Sequence, residues 1–461
     1  MLQDSYETDK VFENILHLTN EMDPVLAQID VLLEDEELYQ LIRSDFAKRY
    51  RLTEVTGRKS TPIEVVMRML TVRRLYGLSY EQTEYQVRDS LVLRQFCRVY
   101  FQDVPDDTTL IRWANLIAAE TLAAYNQRVT QLATELKVTR GRKLRTDGTV
   151  VETHIHIPSD SRLLADSVRV LGCSLQRAKQ VLSEQTDLGA QVFRNRTRST
   201  RKTARQVQRL VARRKAAGKQ AYRKLVQITK QSVSQAQQVL EALRESSLPQ
   251  AQHLKDTLET FLPRAEQVIE QTIRLVFQDE KVPANEKIVS IFEPHTAIIR
   301  RGKAGKPVEF GRKVWLDEVE GGIVTRWEVL DGNPSDRDQW SPSLDAHQQL
   351  FGKPPTQASA DRGVFSADNE AEAQRRDIKR VVLPKPGKKS EQRRQREKQP
   401  WFRRARKWHA GVEGRISVLK RCYNLDRCLN HGEDGFQRWI GWGVIAHNLK
   451  KIGSTVAARS E

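Results

Sequence analysis

The chain has 461 residues, 39% of them hydrophobic, and carries 77 Lys and Arg against 59 Asp and Glu, a formal charge of +18. That length and composition exclude a disordered tail or a small disulfide scaffold and leave room for two or three domains with cores of their own. The excess of cations favours a polyanionic partner, nucleic acid first, over a neutral substrate, and no run of about 18 apolar residues offers a membrane span.

The N-terminus, "MLQDSYETDKVFENILHLTNEMDP", is acidic and lacks the charged and apolar regions of a signal peptide, so a soluble intracellular protein with no membrane partner is expected. Residues 1–140 read as a helical domain. Thr61 as N-cap, Pro62 at the first helical position and Glu64 closing a capping box predict a helix that runs to Gly77. Ser79 with Gln82 starts the next, and Asp107 another. Three short helices over about 61–118 fit a helix-turn-helix module for DNA, and equally any small helical bundle.

"GRKLRTDGTVVETHIHIP" reads as a strand that holds Asp147, with Glu152 at an odd offset and so on the opposite face. A basic helical insertion follows, drawn at 159–285 between a first core segment at 141–158 and a second at 286–461. From Leu188 to Leu240 there is no Asp or Glu. The same stretch holds Arg194, Arg196, Arg198, Arg201, Lys202, Arg205, Arg209, Arg213, Arg214 and Lys215. A solvated helix face usually alternates signs, because like charges at i,i+4 repel. Phosphates would supply the missing counter-charge and make binding steeply salt dependent; a cationic loop is the plainer alternative.

The pattern then turns to strands. Gly321-Gly322 marks a hairpin, "TQASAD" ends at Asp361, and "IKRVVLP" follows a helix at about 366–376. "KPGKKSEQRRQREKQPWFRRARKW" reads as a basic linker, followed by a long helical C-terminus from about Trp408. Four cysteines, Cys97, Cys173, Cys422 and Cys428, are too few for a disulfide framework, and the C-x5-C spacing beside His409 and His431 is no standard zinc knuckle.

Asp147, Asp361 and Glu413 are three carboxylates at element positions that could converge. Hard oxygen ligands of this kind suit Mg²⁺, and two such ions can activate the attacking hydroxyl and stabilise the leaving one in phosphoryl transfer. Each has a plainer reading: Asp147 before Gly148 as a turn residue, Asp361 as a helix cap, Glu413 as the partner of Lys420 or Arg421. Asp331 and Asp336 in "LDGNPSDRD" read as loop and cap residues. On a helix, His409, Glu413 and Lys420 fall within about 60° of one stripe. There Glu413 could face metals while His409 and Lys420 reach phosphates.

"LRTDGTVVETHIHIPSDSRLLADSVRVL", "ASADRGVFS" and "HAGVEGRISVLKRCYNLDRCLNHGEDGFQRWIGWGVIAHNL" resemble the three catalytic blocks of DDE transposases from bacterial insertion sequences, nearest to the ISNCY type. The resemblance spans about residues 60–452. It implies an α/β fold, an RNase H-like mixed sheet with a large helical insertion and an all-α N-terminal domain. It also implies two Mg²⁺ ions, with Mn²⁺ able to substitute, held by Asp147, Asp361 and Glu413, and Lys420 and His409 acting beside them. Related families have Arg four residues before the glutamate; this chain has His409 there, and keeps Lys420 seven residues after. The implied activity is cleavage and strand transfer at terminal inverted repeats, by a homodimer on double-stranded DNA in the bacterial cytoplasm, associated with the nucleoid. A domesticated, non-catalytic DNA-binding descendant is the alternative.

Overall fold

The computed structural model describes residues 1–19, 22–49, 57, 59–182, 189–211, 215–246, 248–300 and 307–460. They form two compact units, one of residues 1–154 with 312–461 and one of residues 155–311.

In the first unit, helices and a mixed sheet share one core. Strand β1 is Lys143–Thr153, and β2, Ala297–Arg300, belongs to the second unit. The others are β3 Val308–Val319, β4 Ile323–Leu330, β5 Gln357–Ala360, β6 Arg380–Val382 and the short β7 Arg427–Cys428. The order is β3-β1-β5-β6, with β4 on β3 and β7 on β1. β1, β5 and β6 run parallel, whereas β3 and β4 form the antiparallel hairpin. Its turn needs Gly321 and Gly322, whose φ values of +87° and +80° are open to glycine at no steric cost. This hairpin on a parallel core is the RNase H-like arrangement, and β1 sits in its middle.

The N-terminal helices depart from expectation at their caps. Helix Ile63–Leu75 starts after Pro62 with no side-chain cap, so the Thr61–Glu64 box is not formed. Glu64 instead accepts from Arg68 at 3.0 Å, because Arg68 is fully buried and needs the carboxylate. The Ser79–Gln82 box is present. The third helix begins at Asp107, as expected, and Asp106 caps it by accepting from the Thr109 amide at 2.6 Å. Between these, Ser90 caps a further short helix, Leu91–Phe96.

The basic stretch after β6 is not a linker. Ser390 caps helix Glu391–Lys398, and Pro400 opens helix Pro400–Cys422. Arg393 spans Glu370 and Glu397 at 2.7 and 2.9 Å, so part of the charge in this segment is paired within the fold. The C-terminal helix is likewise two. Asn424, at φ +55°, breaks the chain after Cys422, β7 pairs with the end of β1, and helix Gly432–Ser460 follows.

The second unit is helical, with Asp160–Leu182, Thr197–Val211, Lys215–Arg244 and Pro249–Val276 around a core of their own. Helix Thr197–Val211 buries Thr200, Thr203, Ala204 and Val207. This i, i+3, i+4, i+7 stripe leaves its arginines on the remaining faces. No helix among the described residues is long and apolar enough to cross a membrane.

Candidate active site

Thr146 of β1 pairs in register with Ala360 of the parallel β5. The next residue along each strand is an aspartate, Asp147 still within β1 and Asp361 just past the end of β5, close enough for the charge of Asp361 to act on Asp147. Neither is a turn residue of the kind the plainer readings supposed: Asp147 lies inside β1, and Asp361 precedes a one-turn helix, Arg362–Val364, without capping it by its side chain.

Their environments differ. Burial, with the charge of Asp361 added, pushes the Asp147 carboxyl up to about 6. Asp361 is exposed and held below the usual carboxylate range, chiefly by its hydrogen bond with His409. His409 Nε2 lies 3.2 Å from Asp361 Oδ1, and its buried Nδ1 has no partner among the described residues. His409, expected to reach phosphates, is thus turned onto a carboxylate.

Helix Pro400–Cys422 is fixed to the sheet by buried charge. Arg145, two residues before Asp147, donates to both oxygens of Glu318 on β3, at 2.8 and 2.6 Å, and to the Trp408 carbonyl. Arg415, on the same helix as His409, reaches Glu318 at 3.1 Å. Gly411 permits the approach: a Cβ there would lie 2.5 Å from Arg145 Nη1. A second tie is Lys420, whose ammonium donates to the Val150 carbonyl of β1 at 2.7 Å.

Glu413 is exposed and makes no hydrogen bond or ion pair with the described residues, so it is no surface partner of Lys420 or Arg421. It sits one turn past His409, about 6 Å along the axis. Among the described residues no three His, Cys, Asp or Glu side chains stand close enough to hold a metal ion. Asp147, Asp361 and His409 are brought together; Glu413 is near in the chain and stays apart from them.

Of two further neighbours, Asp336 reads in the sequence as a cap residue and Lys313 is not singled out there. Asp336 adds to the negative charge felt by Asp147, and its Oδ2 lies 3.3 Å from where a Cβ on Gly363 would be. Lys313 of β3 pairs with Asp336 at 2.5 Å and donates to the Pro334 carbonyl at 2.8 Å. No spacing in the sequence could have shown this, because the pair joins a strand to the start of a short 3-10 helix, Asp336–Gln339, that follows a different strand. Asp331 behaves as a loop residue, bound to Arg312.

In the second unit, Arg198, Arg201, Lys202, Arg205 and Arg209 line one side of a cavity of about 1040 Å³, with no carboxylate among its lining residues. Arg196 is bonded to Gln235, and the charge of Arg194 lies beside it. Arg213 and Arg214 lie outside the described residues, as does the side chain of Lys215.

Residues 13–116 match a family model described as Transposase domain (DUF772), and residues 369–453 match one described as Transposase DDE domain. No curated protein and no solved structure matches the chain. The two matches, with a mixed sheet whose last β1–β5 register pair, Thr146–Ala360, is followed on each strand by an aspartate, support a DDE transposase of an insertion sequence. His409, Glu413 and Lys420 fall inside that segment, whereas Asp147 and Asp361 lie outside both matches.

Proposed function

We propose that the protein binds the terminal inverted repeats of its own insertion sequence and cuts and joins DNA strands with two Mg²⁺ ions, as a homodimer on double-stranded DNA. The observation that supports this reading is the Thr146–Ala360 register pair, after which both β1 and β5 continue into an aspartate, with the charge of Asp361 felt by Asp147. Two adjacent carboxylates, one of them half-buried and pushed up in pKa, need a cation to be comfortable there. The donor set is hard oxygen, which fits Mg²⁺.

In this reading Asp147 and Asp361 hold the metal, and Glu413, one turn from His409, completes the set. Mutual repulsion of the three carboxylates is the reason for Glu413 to stay away without a cation. Mg²⁺ held there would supply activation of the attacking oxygen and stabilisation of the leaving one. His409 orients Asp361 through its 3.2 Å contact. Lys420, tied to Val150, and the Arg145–Glu318–Arg415 group keep the helix of Glu413 against β1. The site works in the bacterial cytoplasm, on nucleoid DNA.

The basic side of the second unit takes the DNA backbone. Exchanging Arg201, Arg205 and Arg209 for Gln is expected to weaken binding on all duplexes alike and to flatten log affinity against log salt by about 0.9 per lost phosphate contact. An unchanged slope would mean a merely solvated face.

The function itself is tested with a duplex that carries the inverted repeat flanking the gene. Mg²⁺ should produce a cut at the element end that leaves a 3′-hydroxyl, and a chelator should stop it. A chain that binds the repeat and never cuts would be the non-catalytic descendant.

A further inference from the structure

Far along the chain from the carboxylates, two arginines of the first unit lack a counter-ion among the described residues. Arg73 and Arg74, in the last turn of helix Ile63–Leu75, are 7% and 3% exposed. Arg74 Nη2 donates to the carbonyls of Tyr423 and Trp439, both at 2.9 Å, and its guanidinium lies 4.2 Å from the Trp439 ring. Arg73 lies 3.9 Å over the Tyr80 ring, and its side chain has no hydrogen-bond acceptor among the described residues.

A small cavity of about 10 Å³ opens between them, edged by Arg438 and by the buried Trp442, whose indole N–H is also without an acceptor among the described residues. No carboxylate lines it. Stacking on aromatic rings offsets part of the cost of a buried guanidinium. It leaves the N–H donors unmet, and a buried charge without a partner is expensive. Each guanidinium also works against its neighbour: Arg74 is pushed down to about 9, first by burial and then by Arg73. The room is that of one water-sized atom. A nucleotide does not fit; one anionic oxygen does.

We infer that this cavity is a phosphate site, in which Arg73, Arg74, Arg438 and the Trp442 N–H receive one non-bridging oxygen of a DNA backbone phosphodiester standing at its mouth. The inference rests on the proposed DNA binding. Planar guanidinium forks match the oxygens of a phosphate as well as those of a carboxylate, and a DNA backbone presents phosphates. The two walls come from the two segments that match transposase families, residues 13–116 and 369–453. A backbone contact here would therefore register the helical region and the catalytic region on one DNA.

The test uses the full chain with Arg73→Gln and Arg438→Gln. Removing the buried cation of Arg73, which has no counter-ion among the described residues, should leave thermal melting unchanged or raise it, and Arg438→Gln changes a half-buried side chain bonded to Asn115 at 3.2 Å, so both variants are expected to fold. Inorganic phosphate, added at constant ionic strength, should raise the melting temperature of the parent chain and not of Arg73→Gln. On the end duplex each variant should lose about 0.9 from the salt slope. Equal responses to phosphate with equal slopes would overturn the inference. A lost phosphate response with an unchanged duplex slope would assign the cavity to free anions and overturn the backbone contact. A parent chain that binds no duplex would remove the proposed function and this contact together, an outcome read before any variant is made.

Discussion

Glu318→Gln is expected to cost the first unit about 3–5 kcal/mol of stability, the range for breaking a buried ion pair by removing one partner. Glu318 is 1% exposed and receives both Arg145 and Arg415. The amide keeps the shape and loses the charge, leaving two guanidiniums facing each other across a neutral group. Domains have about 5–15 kcal/mol in total, so the loss should show as a large fall in the urea midpoint. The effect should reach function as well, because these arginines hold β1 to the helix of His409 and Glu413. Replacing all three charged residues by apolar ones of similar size should recover much of the stability. A Glu318→Gln midpoint within about 1 kcal/mol of the parent would mean that solvent carries the two arginines.

The second large effect concerns chemistry. Asp147→Asn, Asp361→Asn and Glu413→Gln should each lower end cleavage by at least about a thousandfold, some 4 kcal/mol of transition-state stabilisation, with end binding nearly intact. An amide oxygen is a weaker ligand for a divalent cation than a carboxylate and brings no charge. The three variants differ in what they leave behind. Asp147→Asn removes a half-buried carboxyl that is already uncomfortable beside Asp361, so it should stabilise the fold slightly while it abolishes cutting. Asp361→Asn also removes the acceptor of His409. Glu413→Gln changes an exposed side chain and should leave melting untouched, which makes it the cleanest of the three.

Much of this site was legible residue by residue. The β-branched run around Asp147, the short strand before Asp361 and the glycine pair at 321–322 each carry a local signal that the tertiary structure respects. The Ser79–Gln82 box is a purely local device and is formed. What the sequence hid depends on distant partners. Residues 385–408 look like a solvated linker because more than half of them are charged and most of those are basic. Glu370, from another helix, supplies the counter-ion that folds them. Thr61 fails as a cap because the buried Arg68 claims Glu64. The turn of His409 onto Asp361 and the joining of Lys313 to Asp336 are consequences of sheet order, which no spacing of residues expresses.

The central claim is that Asp147, Asp361 and Glu413 hold divalent metal. Calorimetric titration of Mn²⁺ into the full chain with its end duplex, beside the same titration of the three variants, tests it without reliance on turnover. The account predicts binding to the parent chain, loss of at least one site in Asp147→Asn and Asp361→Asn, and weakened binding in Glu413→Gln. Mn²⁺ isotherms identical in all four proteins would contradict it.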